Sequence, residues 1–243
     1  MREMCVNFLR FSSGQRDCPA GDVIFIAVNR TAVHPLGRSI GALGGAVYKP
    51  FSRGSVELDP ADASAPPRIL FNALTDPRDM SRIMQVLGLC GRVLTHPHMR
   101  AVWTEAFFPD AAAAARLSRP GLAPLLMSGL ADLAFDFAPP LRRRMLTGNS
   151  IDMGLLVEDA TALRRFAIEQ TSVAGHVAGT CRMGRADDPD AVLDPRCNVI
   201  GVPGLRVVDA SAMPDVVSAN TNIPVQMLAE KAAAMIFDDR KRV

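Results

Sequence analysis

The sequence predicts an α+β fold, with an antiparallel sheet carrying helices and a strand–helix segment at the end of the chain. Three observations predict it. Short β-rich runs alternate with turn residues through the first third. The middle carries a helix-start signal followed by apolar residues at helical spacing. The last seventy residues are punctuated by Gly, Asp and Pro and lead into a long amphipathic run.

The strands come first. Val6 to Phe11 alternates in stretches, and Asp22 to Val28 is rich in β-branched residues. A Gly-rich stretch, Gly37 to Gly45, precedes A-V-Y-K-P-F. Ser55 to Leu58 and Arg68 to Phe71 complete the series. Ser-Ser-Gly at 12–14, Arg-Gly at 53–54, Asp-Pro at 59–60 and Pro-Pro at 66–67 separate these runs, as expected of a sheet with one covered face. Asp76-Pro77 then opens a helix, because Asp76 can cap free amides and Pro77 suits the first helical position. Its continuation, Met80 to His96, puts Ile83, Val86, Leu87, Cys90 and Leu94 on one face. Ala111 to Leu117 and Asp159 to Gln170 are further helical segments. Towards the end, Cys197 to Ile200 and Leu205 to Val208 read as short strands, and Ile223 to Phe237 as an amphipathic helix.

Composition narrows the function classes. A chain of 243 residues corresponds to about 1.6 typical domains. Hydrophobic residues at 49% and charged residues at 21% exclude global disorder. The formal net charge of +2 supplies no field for nucleic acid or an anionic membrane, and Arg142-Arg143-Arg144 reads as a solvated helix end. Five widely spaced cysteines, without a C-x-x-C, fit neither a disulfide framework nor a zinc ribbon; a reducing, cytoplasmic setting is expected. No span is apolar enough to cross a membrane, since Asp132 and Asp136 interrupt the best stretch, Leu122 to Pro139. The N-terminus lacks the apolar core of a signal peptide.

Three constellations could carry chemistry. His96-Pro-His98 has the residue type for metal but only Glu105 nearby, so a histidine at a helix C-terminus is the better reading. Gly41, Gly44 and Gly45 form G-x-x-G-G, which lacks the spacing of a dinucleotide or phosphate loop; close backbone packing or a bulge is expected. The third is His176-Val-Ala-Gly-Thr-Cys-Arg-Met-Gly184, where a histidine precedes a tight Gly-Thr turn. Alone it would be read as a structural histidine. Its company changes that reading: Gly204-Leu-Arg-Val-Val-Asp-Ala-Ser-Ala-Met-Pro214, then Ser218-Ala-Asn-Thr-Asn-Ile-Pro224 opening the last helix.

In order, spacing and wording these blocks resemble the C-terminal signature of the glucose–methanol–choline (GMC) oxidoreductases, flavin enzymes that oxidise alcohols. Pro50-Phe-Ser-Arg-Gly-Ser-Val56 and Pro67-Arg-Ile with Asn72, Leu74, Asp76 and Asp79 resemble earlier segments of the same family. Gly175 and Val177 depart from it, standing where an aromatic residue and a proline are common. The resemblance implies a substrate-binding domain over residues 1–170. It also implies that 171–243 is the returning part of an FAD domain. The Rossmann half that precedes such a segment in the family has no counterpart in this sequence, so the expectation is a fragment, a truncated product or one part of a split enzyme with a separate N-terminal FAD-binding half. The implied cofactor is FAD and the implied substrate a small alcohol.

A histidine suits the proton transfer of alcohol oxidation because much of it is neutral at pH 7. His176 is thus the implied general base, and Asn220 the implied partner holding the substrate oxygen; the competing role for Asn220 is capping the final helix. By the same resemblance Asp209 and Ala210 lie against FAD, and Thr221, Asn222 and Ile223 approach its isoalloxazine ring. Arg53 and Arg182 are expected in turns or ion pairs. The competing function is a non-catalytic chain that binds a small ligand or a partner.

Overall fold

The computed structural model describes residues 5–31, 35–59, 61–62, 64–109, 126, 129, 132, 147–150 and 152–241. The helix expected at Ala111 to Leu117, the Arg142 to Arg144 run and nearly all of Leu122 to Pro139 lie outside them. The chain divides into two compact units, one of residues 1–46 with 80–170 and the other of 47–79 with 171–243. Helices and antiparallel strands make an α+β architecture.

The first unit is built on a three-stranded sheet ordered β1-β2-β3, formed by Val6–Phe11, Val23–Val28 and Ala42–Val47. β1 and β2 run antiparallel from the pair Val6–Val28 to the pair Phe11–Val23. A short helix, α1 (Pro35–Arg38), precedes β3. The helix α2 (Pro77–Thr95) starts where the sequence predicts: the Asp76 carboxylate accepts the Arg78 amide at 2.9 Å. Two short helices follow it in the chain, α3 (Pro97–Arg100) and, after the β6–β7 pair (Phe107–Pro109 with Thr147–Ser150), α4 (Met153–Glu158). The Asp159 carboxylate accepts the amides of Thr161 and Ala162 and so starts α5 (Ala160–Gln170).

Val23 and Phe25, two residues apart on β2, meet Val86 and Cys90 of α2 and Met153 of α4 in one apolar cluster. Burial pushes the Cys90 thiol up to about 11. Gly45 makes the close sheet–helix approach possible. A Cβ there would run into the Ile24 carbonyl oxygen and come within 2.5 Å of Val86 Cγ1. Gly45, and Gly41 beside the Val28 carbonyl, serve close backbone packing, one of the two readings expected, whereas Gly44 faces open space. One feature is absent from the predicted face: Arg82, four residues before Val86, is fully buried against the equally buried Asp22, at 3.4 Å.

In the second unit, β4 (Ser55–Glu57) pairs antiparallel with β5 (Arg68–Leu70). The turn before β4 is held by the buried carboxylate of Asp79, which accepts the amides of Phe51 and Ser52 at 3.0 and 2.7 Å and the Ser52 hydroxyl at 2.6 Å. The Ser52 oxygen in turn accepts the Asp76 amide.

The two C-terminal strands do not form. Residues 193–206 make only isolated bridges, Leu193 with Met183 and with Val199, and Asn198 with Arg206. The reason is local. Cys197 has a φ of 65°, and the positive φ values of Gly201 and Gly204 turn the chain again, so no two extended runs stay side by side. Ile200, Val202 and Leu205 are consequently exposed. The final helix, α6, runs further than expected, Asn222–Arg240, and is not one-sided. Ile223, Met227 and Phe237 are exposed while Ala232 is buried, because apolar residues occupy every side of the helix.

Candidate active site

The histidine motif is laid against the Asp209 motif by backbone hydrogen bonds. The Asp209 carboxylate accepts the Ser211 amide at 2.7 Å, which starts a single 3-10 turn over Ala210–Ala212. The carbonyls of that turn receive amides from alternate residues of the 179–183 segment: Gly179 to Ala210, Cys181 to Ser211 and Met183 to Ala212, at 3.0–3.2 Å. Gly179 has a φ of 87°, a conformation open to glycine at little cost. Beyond it, Arg182 grips Asp188 with both arms of its guanidinium, at 2.6 and 2.8 Å, and holds that carboxyl below the usual carboxylate range. Arg53 donates to the Pro50 carbonyl and, with Lys49, pairs with Asp215. Both arginines are thus turn and ion-pair residues.

At the other end of this motif, His176 reaches α6. Its Nδ1 lies 2.8 Å from the hydroxyl oxygen of Thr221, the residue just before the helix. Thr221 is only 7% exposed, and its side chain makes no capping hydrogen bond to the helix. His176 itself is exposed, and among the described residues its Nε2 has no hydrogen-bond partner. Asn220 is also exposed; its carboxamide bonds no other described residue, so it does not cap α6, and no hydrogen bond joins it to His176.

The start of α6 is short of partners. The amides of Thr221, Asn222 and Ile223 have none among the described residues, and Pro224 carries no N–H. Three uncommitted donors at the positive end of a 19-residue helix suit a carbonyl-rich, electron-accepting group. That donor set fits the polar edge of an isoalloxazine ring. Elsewhere, His96 caps α3 by accepting the His98 amide at 3.4 Å.

Comparison with known proteins decides the family. The GMC oxidoreductase model for the C-terminal portion matches residues 50–229. The chain belongs to the GMC oxidoreductases. A 5-(hydroxymethyl)furfural oxidase of Methylovorus is 40% identical over 79% of this chain and 30% of its own length. The mitochondrial choline dehydrogenase of mouse is 47% identical over 37% of the chain and 15% of its own. Among solved structures, a formate oxidase of Aspergillus oryzae, studied for its FAD modification, superposes with a TM-score of 0.61. It is 16% identical, with 92% of this chain and 32% of that one covered. The chain therefore spans less than a third of each of these relatives. GMC oxidoreductases are FAD-dependent, and this chain carries the family's C-terminal fold. Among the described residues no helix is long and apolar enough to cross a membrane.

Proposed function

We propose that this chain supplies the substrate-side and proton-handling residues of an FAD-dependent alcohol oxidation, acting with an N-terminal FAD-binding half. The single observation that carries this reading is the His176 ring held at the start of α6, beside the exposed carboxamide-bearing residue Asn220 and three uncommitted amides.

The amides of Thr221, Asn222 and Ile223, with the Asp209–Ala210 turn, would hold the isoalloxazine-bearing end of FAD. When bound, FAD supplies the acceptor for the hydrogen and electron pair leaving the carbinol carbon. This chain's residues manage the rest. Asn220 donates its amide hydrogens to the substrate oxygen and orients the hydroxyl. His176 takes the hydroxyl proton at Nε2, so the C–O single bond becomes a carbonyl as hydride leaves the carbon. One proton on the imidazole and one hydride on the acceptor balance the two hydrogens lost by the alcohol.

The test is a chimera in which this chain replaces the corresponding C-terminal stretch of the Methylovorus oxidase. We expect it to retain flavin absorbance and oxidise a primary alcohol. His176→Ala is expected to lower turnover by about 10²–10⁴-fold. Turnover unchanged by that substitution would remove His176 from the chemistry.

A further inference from the structure

The pairing of His176 with Thr221 carries an inference about which ring nitrogen can act. Thr221 occupies the N-cap of α6, where a threonine hydroxyl ordinarily accepts a helix amide and stabilises the helix. Here the hydroxyl makes no such bond. It is buried, and it sits 2.8 Å from His176 Nδ1, forty-five residues away in sequence. Nε2, by contrast, has no partner among the described residues, on a ring that is itself exposed.

We propose that Thr221 is a positioning residue that sets the tautomer of His176: its oxygen accepts the Nδ1 hydrogen, leaving the Nε2 lone pair free to take a proton. The inference rests on the reading of His176 as the proton acceptor. A neutral imidazole carries one ring hydrogen, and the bond made by one nitrogen decides which nitrogen keeps it. With Nδ1–H donating to Thr221, proton uptake at Nε2 leaves that bond intact, and no heavy atom need move. A hydroxyl fixes the ring without adding a neighbouring charge. If instead the hydroxyl donated to Nδ1, Nε2 would carry the hydrogen and could not act as a base.

The experiment uses the ¹⁵N-labelled 243-residue chain and long-range ¹H–¹⁵N correlation spectra of its four histidines, with His176 assigned by the signals lost in His176→Gln. In the wild type at neutral to mildly alkaline pH, Nε2 should show the signature of an unprotonated nitrogen and Nδ1 that of a protonated one. Thr221→Val, which keeps the shape and removes the hydroxyl, should convert His176 to a tautomer mixture with Nε2–H populated. Thr221→Ser should restore the wild-type pattern. A wild-type spectrum with Nε2 protonated overturns the proposal without recourse to any variant, and so does a Thr221→Val spectrum identical to wild type. The two readings fail separately. The expected tautomer with turnover indifferent to His176→Ala in the chimera removes the base and keeps the tautomer. The wrong tautomer with turnover lost does the reverse.

Discussion

Residues 5–46 and 80–170 bury Val23, Phe25, Val86, Cys90 and Met153 in one apolar cluster, and Asp22 and Arg82, both fully buried, form an ion pair in the same unit. Residues 47–79 and 171–241 bury Leu193, Cys197, Ala212, Met213 and Ala232, and their loops are laced by carboxylates. Asp79 holds the 51–52 turn, Asp188 takes Arg182, Asp194 takes Asn198 and the Arg196 amide, and Asp239 takes both Arg196 and Arg206. Apolar packing is non-directional and tolerates local rearrangement. Hydrogen bonds fix angles, and the unit that carries His176 and Thr221 relies on them. A loop can thereby hold an imidazole against one particular hydroxyl without a regular sheet beneath it.

The largest effect should come from breaking the buried ion pair of the apolar unit. Asp22→Asn removes a buried carboxylate charge facing the fully buried Arg82 guanidinium and should cost up to about 3–5 kcal/mol in urea unfolding. Replacing both partners with apolar residues of similar volume should cost far less. If the single and double variants lose the same stability, the pair contributes through shape rather than charge, and the contrast between the units weakens. Gly45→Ala should come next, at about 1–3 kcal/mol, because the new methyl meets the Ile24 carbonyl and Val86. An unchanged unfolding midpoint would show that the sheet can move away from α2.

In the apolar unit the sequence was legible where period and punctuation agree. Val23 and Phe25 alternate, Asp76-Pro77 marks the helix start, and Val86 and Cys90 sit four residues apart. Arg82 falls on that same four-residue spacing, which was the available signal. Hydropathy alone puts an arginine outside, and a partner that meets it inside, Asp22, is sixty residues earlier. In the polar unit the motif residues could be picked out, but not their arrangement. Extended propensity at 197–200 and 205–208 is overridden by a left-handed Cys197 and two glycine turns. The hydroxyl of Thr221, a natural cap by residue type, finds His176 instead, a contact that only the folded chain brings about.

Smaller and more graded is the response to acid, and it should separate the two units. Hydrogen bonds from Arg182 hold Asp188 below the usual carboxylate range, and those from Arg196 and Arg206 do the same for Asp239. For Asp194, burial pushes upward but is outweighed by hydrogen bonds from Asn198 and Arg196. Among the described residues of the first unit Asp22 alone behaves this way: burial raises it, and the bonds from Ser13 with the charge of Arg82 bring it lower still. A carboxyl depressed by folding binds its proton less readily folded than unfolded. Its contribution is therefore complete above the unfolded value, about 3.9, and disappears as the pH falls through the folded one. Among the described residues, Asp188, Asp194 and Asp239 hold the loops and last helix of the second unit, with Asp62 lowered by its own local turn, against Asp22 in the first. On lowering the pH from 7 to about 3, amide protection at 182–199 and in the last turn of α6 should fall while the β1–β2 amides stay protected. Asp239→Asn should reproduce part of that loss at pH 7, at the Arg196 and Arg206 loops and the end of α6, because the amide replaces a charge-assisted grip on two arginines with neutral hydrogen bonding. Loss of protection in β1 and β2 before 182–199 would mean that acid acts first through Asp22, and that the sealed pair, not the laced loops, is the pH-sensitive element of the chain.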